Sequence, residues 1–138
     1  MKGRIADVFD SIQGEGLYLG EKQIFVRFFG CNLNCSFCDT KLDYFKEYEV
    51  LDLFNQIRSY PADWHSISFT GGEPLLQKDF LKEIMTLTKQ NNYKNYLETN
   101  GTLFDELTEI IDYTDIIAMD WKLPTSTDDF PCWRAHKR

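Results

Sequence analysis

Three cysteines stand at spacing x3 then x2 in Cys31-Asn32-Leu33-Asn34-Cys35-Ser36-Phe37-Cys38-Asp39-Thr40, directly after the largely apolar run Ile24 to Phe29. Three thiolates can hold three irons of a cubic iron–sulfur cluster and leave the fourth without a protein ligand. An open metal position is what catalysis needs and what a structural site avoids. The same triplet can be read as a zinc site completed by His65, His136 or Cys132, although neither histidine stands at a finger-like spacing. Taken singly, His65 beside Trp64 reads as structural, and Cys132 has no evident role.

Other stretches carry chemistry. Thr70-Gly71-Gly72-Glu73-Pro74 reads either as a strand-to-helix turn or as a cradle for a ligand. Glu73 reads either as part of that cradle or as a solvated carboxylate favoured by a helix dipole. Arg27 lies inside an aromatic strand, where a buried guanidinium requires an anionic partner. Ser11-Ile12-Gln13-Gly14-Glu15-Gly16 is a loop in which two glycines flank a carboxylate.

The elements that must position these groups follow from periodicity. Ile5 to Phe9 is a short strand, and Gln23 to Phe29 is a second. Period two puts Phe25, Arg27 and Phe29 on one face and Ile24, Val26 and Phe28 on the other. Glu49 to Tyr60 is helical, with Val50, Leu53, Phe54 and Ile57 on one side, and Pro61 ends it. Ser66 to Phe69, Asn95 to Leu97 and Ile116 to Met119 are strands, separated by helices running from Pro74 to about Asn91 and through Leu103 to Ile111. This alternation predicts a parallel sheet with right-handed crossovers. Gly30 with the cysteines, Thr70 to Glu73, Glu98 to Asn100, and Asp120 to Lys122 each follow a strand directly. In α/β folds the carboxyl ends of the strands carry the active site, so the four motifs belong to one rim.

The composition bounds the function. A chain of 138 residues suits one small domain, and 43% apolar content places it among globular proteins. A net charge of −7 argues against non-specific nucleic-acid binding and against a basic membrane surface. No apolar run approaches the roughly 20 residues of a membrane helix. The first seven residues hold no apolar signal core, so export is not expected. Four cysteines without export point to metal chemistry in a reducing cytoplasm.

The cysteine triplet with Phe37 before its last member, together with Thr70-Gly71-Gly72-Glu73-Pro74, resembles the signature of the radical S-adenosylmethionine superfamily. Within it, Phe9-Asp10-Ser11-Ile12-Gln13-Gly14-Glu15-Gly16, Arg27, Cys38-Asp39-Thr40 and Leu97-Glu98-Thr99-Asn100-Gly101 resemble the 7-carboxy-7-deazaguanine synthase family, from about Ile5 to Pro124. The resemblance implies an α/β fold, a shortened, partial (β/α) TIM-like barrel. It implies a lyase of queuosine and related deazapurine biosynthesis that contracts the ring of 6-carboxy-5,6,7,8-tetrahydropterin with loss of ammonia.

By the same resemblance Cys31, Cys35 and Cys38 hold a 4Fe–4S cluster. Phe37, Cys38, Asp39, Gly72, Glu73, Asp120 and Lys122 bind S-adenosylmethionine, which is cleaved to a 5′-deoxyadenosyl radical. Ile12, Gln13, Gly14, Glu15, Arg27 and Thr70 bind the pterin, with Arg27 on its carboxylate. Thr40 helps hold Mg²⁺, which keeps waters and substrate oxygens as its other ligands. The cofactor carries the hard chemistry, so no side chain is expected to be catalytic in its own right. A flavodoxin-like electron donor, a homodimer, a cytoplasmic location and no nucleic-acid or membrane partner are further implications.

Residues 1–124 read as the core, an incomplete barrel, and 125–138 as an atypical tail with no usable period. Relatives continue further, so the expectation is a truncated or frame-altered end that leaves the last strand as an uncovered apolar edge. The isolated chain is then expected to be poorly soluble and weak on substrate. Two rival functions are a glycyl-radical enzyme activase, against which Arg27 and the 13–16 loop argue, and a non-enzymatic zinc-binding module. Metal analysis separates the latter at once.

Overall fold

The computed structural model describes residues 1–14, 16–30 and 44–119. Six strands form one sheet, in the order β3 (Lys46–Glu49), β1 (Lys2–Ile12), β2 (Lys22–Phe28), β4 (Ser66–Gly71), β5 (Asn95–Thr99), β6 (Ile116–Met119). From β2 to β6 the pairs are parallel, as the strand–helix rhythm predicts. The sheet is nevertheless mixed, because β1 runs antiparallel to both β2 and β3. A hairpin can join β1 to β2 directly, whereas parallel neighbours need a crossover.

Period-two alternation decides what each face carries. Ile24, Val26, Phe28, Ile67, Phe69 and Leu97 form a fully buried layer facing the helices. Ile5 and Val8 join it although they are three apart, because a bulge shifts the register between Ile5 and Asp7. The helices α1 (Val50–Arg58), α2 (Lys78–Gln90) and α3 (Phe104–Ile110) close this core with Leu53, Phe54 and Ile57, with Phe80, Leu81, Ile84 and Met85, and with Leu107 and Ile110. Each buried set recurs at three- and four-residue spacing, which keeps it on one helical stripe. In α1, Asp52 in the first turn and Arg58 in the last both complement the helix dipole.

Several boundaries differ from the sequence expectation. β1 extends through Ser11 and Ile12, because its polar residues sit on a face that is not packed by helices. β3, Lys46-Glu47-Tyr48-Glu49, has no apolar run to betray it and is held by pairing with residues 2–5. The helix after Pro74 begins as a tight 3-10 turn over Pro74–Gln77 before α2 starts at Lys78. β6 is the outer strand of the described sheet, with Ile117 and Met119 exposed. None of the described helices is long and apolar enough to cross a membrane.

Candidate functional site

The carboxyl ends of β2 and β4 are fastened to each other by a seam of main-chain bonds. The Gly72 amide donates to the Phe28 carbonyl at 3.0 Å, and the Glu73 amide donates to the Gly30 carbonyl at 2.7 Å. The carbonyl between them, that of Phe29, accepts from Gln77 Nε2 at 3.1 Å. Three successive carbonyls before Cys31 are therefore all taken by the segment 72–77. Gln77 also accepts from the Arg4 amide at 2.7 Å and donates to the Arg4 carbonyl at 3.0 Å, which ties in β1.

Glycine at 71 and 72 is a requirement of this seam. Gly71 has φ of +116°, where side chains are strained, and a Cβ there would overlap the Phe28 backbone. A Cβ on Gly72 would lie 2.5 Å from the Gly30 carbonyl carbon and closer still to its oxygen.

Glu73 is wholly buried, not a solvated first-turn carboxylate. Its Oε1 accepts from the Thr99 hydroxyl and from the Asn100 amide, the latter at 3.2 Å. The Asn100 side chain in turn accepts from the Thr102 amide at 3.0 Å and from its hydroxyl at 2.7 Å. The motif after β4 and the motif after β5 are thus one hydrogen-bonded unit at one rim.

The sheet face away from the helices carries the remaining polar groups. Register places Arg27 beside Thr70, Phe25 beside Ser68, and Gln23 beside Ser66. Arg27 is half-buried, with its guanidinium 5.0 Å from the centre of the Phe9 ring, and Phe9 stacks on Phe25 at 5.2 Å. Among the described residues Arg27 makes no ion pair. Among the described residues the buried Ser68 Oγ has no hydrogen-bond partner.

Because β1 is antiparallel to β2, the loop after Ile12 lies at the amino ends of the parallel strands, opposite the rim just described. Its neck is closed by the Gln13 amide on the Glu21 carbonyl and the Gly20 amide on the Gln13 carbonyl, each at 2.9 Å. Gln13 is buried, and its Nε2 donates to Gln23 Oε1 at 2.8 Å. Gln23 Nε2 donates to Ser66 Oγ at 2.8 Å, and His65 Nδ1 lies 3.0 Å from that hydroxyl. At this end Lys22 Nζ bonds both Asp63 oxygens, at 3.0 and 3.1 Å. That hydrogen bond from Lys22 holds the Asp63 carboxyl below the usual carboxylate range.

Of the sequence-predicted site residues, the structure brings Gly72 and Glu73 to the rim and places Arg27 and Thr70 side by side at the end of the open face. Gln13 stands at the far end of that face, about 13 Å away judged by the four residues from Gln23 to Arg27 at ~3.3 Å each. Ile12 ends β1 with an exposed side chain, and Gly14 is exposed in the loop. Glu15, Cys31, Cys35, Phe37, Cys38, Asp39, Thr40, Asp120 and Lys122 lie outside the described residues, as do Cys132 and His136.

Sequence reasoning missed Gln77 and the Gln23–Ser66 pair. A signal existed for Gln23, since period two puts it on the face of Phe25 and Arg27. None existed for Gln77, whose partner Arg4 is 73 residues away.

Residues 25–130 match the model of the Radical SAM superfamily. The chain is 41% identical over 136 residues to the 7-carboxy-7-deazaguanine synthase of Methanothermobacter thermautotrophicus, covering 94% of this chain and 53% of that protein. It is 34% identical over 157 residues to the synthase of Geobacter sulfurreducens, covering 97% and 62%. Among solved structures, a crystal structure of QueE from Escherichia coli superposes with a TM-score of 0.66 at 27% identity, over 73% of this chain and 53% of the other. The chain spans about half the length of the curated relatives it matches.

Proposed function

The chain belongs to the radical SAM superfamily, and on that premise we propose that it carries the radical SAM core of a 7-carboxy-7-deazaguanine synthase. The reaction is ring contraction of 6-carboxy-5,6,7,8-tetrahydropterin with loss of ammonia. The observation that carries this reading is Arg27, a half-buried cation without an ion pair among the described residues, laid over Phe9 at the end of a polar sheet face. A planar ligand with a carboxylate suits that surface. Its carboxylate meets the guanidinium fork as a bidentate pair, and Thr70 stands beside it. Gln13, with Ile12, Gly14 and Glu15 of the same loop, takes the ring edge.

The residues present fit the cofactors that the family implies. Cys31, Cys35 and Cys38 supply three thiolates for a 4Fe–4S cluster, and the seam at Phe28–Gly30 fixes the chain directly before Cys31. S-adenosylmethionine is assigned to Phe37, Cys38, Asp39, Gly72, Glu73, Asp120 and Lys122, and Mg²⁺ to Thr40. When bound, the reduced cluster and S-adenosylmethionine supply a carbon radical able to remove a substrate hydrogen atom. The chain's own residues bind, orient and shield. Glu73 keeps the rim rigid through Thr99 and Asn100, and Arg27 sets which end of the substrate approaches it. A flavodoxin-like donor, a homodimer and a cytoplasmic setting complete the reading.

The experiment is anaerobic reconstitution with iron and sulfide, electron paramagnetic resonance with and without S-adenosylmethionine, and calorimetry with 6-carboxypterin. The expected result is a cluster signal that S-adenosylmethionine shifts, and pterin binding that Arg27→Met weakens at least tenfold. Zinc with no labile sulfide, or binding indifferent to Arg27→Met, refutes the reading.

A further inference from the structure

Four side chains form one hydrogen-bonded line at the amino ends of β2 and β4: Gln13, Gln23, Ser66 and His65. Gln13, Gln23 and Ser66 are buried, with exposures of 4%, 0% and 0%, so a mismatched donor or acceptor among them has no water to turn to. Such a line has two self-consistent polarities. In one, Gln13 Nε2 donates to Gln23 Oε1, Gln23 Nε2 donates to Ser66 Oγ, and the Ser66 hydroxyl donates to a bare His65 Nδ1. In the other, His65 donates from Nδ1, Ser66 donates to Gln23, and both amides are turned over. The first leaves Gln13 presenting a carbonyl oxygen, and the second leaves it presenting an NH2. No intermediate arrangement satisfies every member, because a hydroxyl has one hydrogen and an amide has one donor end.

We propose that His65 and Gln23 are positioning residues that set the polarity of Gln13, holding its Oε1 outward as an acceptor so that the ligand group read there is an N–H donor. From Gln13 to Ser66 the line already runs in this polarity. Among the described residues Gln13 Oε1 makes no further hydrogen bond, which leaves it for a ligand. The ring that terminates the line is itself fixed. The His65 amide donates to the Lys22 carbonyl at 2.6 Å, and its imidazole lies 5.5 Å from the Tyr18 ring centre. The aromatic ring beside it is that of Tyr18. Reversal therefore requires a change on the imidazole itself, either of tautomer or by protonation. The pterin edge of the proposed substrate carries N–H groups, so this inference rests on the functional reading above and narrows it: the line selects ligands that donate at Gln13 and rejects those that only accept.

The test is a long-range proton–nitrogen correlation spectrum of the ¹⁵N-labelled chain at neutral pH. Two histidines in the sequence keep the imidazole region simple, and His65→Phe identifies the His65 signals. The expected result is a bare Nδ1 with the proton on Nε2, and a Gln13 side-chain NH2 signal that moves when acid protonates the ring. A proton on Nδ1 at neutral pH, or a Gln13 signal indifferent to ring protonation, overturns the proposal. Ser66→Ala cuts the line without altering either end. It is expected to weaken 6-carboxypterin binding about three- to tenfold, the loss of one oriented hydrogen bond. Unchanged affinity in a folded Ser66→Ala protein overturns the selecting role. Where that variant does not fold, the tautomer in the parent chain decides. If the parent fails to bind the pterin while its Nδ1 is bare, the functional reading falls and the polarity of the line stands.

Discussion

Gly72→Ala isolates the seam between β2 and β4. The added methyl would sit 2.5 Å from the Gly30 carbonyl carbon and closer to its oxygen, and both are backbone atoms that cannot rotate away. Relief requires the strand ends to separate, which lengthens the Gly72–Phe28 and Glu73–Gly30 bonds. Losing two such bonds costs about 2 kcal/mol, and forcing a methyl into a filled space costs about 1–3 kcal/mol more. The sum, about 3–5 kcal/mol, is a large share of the ~5–15 kcal/mol that stabilises a typical domain. Urea unfolding at a slope of about 2 kcal/mol/M would then show a midpoint lowered by about 1.5–2.5 M. Gly14→Ala is the control. Gly14 is exposed, has no positive φ, and nothing lies within 4 Å of a Cβ there. Its substitution is expected to be neutral or to stabilise by up to about 1 kcal/mol through the unfolded chain. A Gly72→Ala midpoint indistinguishable from the control would refute the close-approach argument.

Three further outcomes follow from other parts of the structure. Gln77→Ala removes three hydrogen bonds, two of them solvent-exposed, and is expected to cost about 1–2 kcal/mol by urea unfolding. After reconstitution it should also release iron to a chelator several-fold faster than the parent, and Gln77→Glu should not rescue this, since a carboxylate cannot donate to the Arg4 and Phe29 carbonyls. Leu97→Ala, at a fully buried position between α2 and the sheet, is expected to cost about 2–5 kcal/mol in the same assay. The hydrogen bond from Lys78 holds the Glu109 carboxyl below its ordinary range, and the same bond raises Lys78. A lowered carboxylate contributes stability above the unfolded range and loses it as pH falls through its folded value. The Tm difference between the parent and Glu109→Gln should therefore be present at neutral pH and close in acid.

The pattern of the chain was most legible where period and burial agree. Alternation along 23–29 assigned Ile24, Val26 and Phe28 to one face and Phe25 and Arg27 to the other, and the structure packs them so. The helical stripes of α1 and α2 were equally plain. Legibility failed where a strand is held by its partners rather than by its own apolar pattern. β3 is Lys46, Glu47 and Glu49 around Tyr48, and only residues 2–5 make it a strand. The antiparallel hairpin was hidden for a related reason, since the loop from Gln13 to Glu21 carries no two-residue turn signature. At the site, the glycines and Glu73 announced themselves as a motif. The buried amide line did not, because Gln23, Ser66 and His65 acquire meaning only when separate strands lie side by side.

The seam also bears on how this sequence can drift in length. Gly30 and Glu73 are bonded across 43 positions of chain, so everything between them is a closed circuit whose two ends are already joined. Doubling the length of a flexible stretch within such a circuit costs only about 0.6 kcal/mol in closure entropy. Insertions in the exposed turn between α1 and β4, at Pro61 and Ala62, would leave the rim where it is, because the rim is located by bonds between strand ends and not by that turn. An extra residue inserted between Phe28 and Gly30, or between Gly71 and Glu73, would instead put one or more of the three carbonyls out of step with their donors. The turn's freedom to vary and the rim's intolerance of change are thus two outcomes of the same three hydrogen bonds.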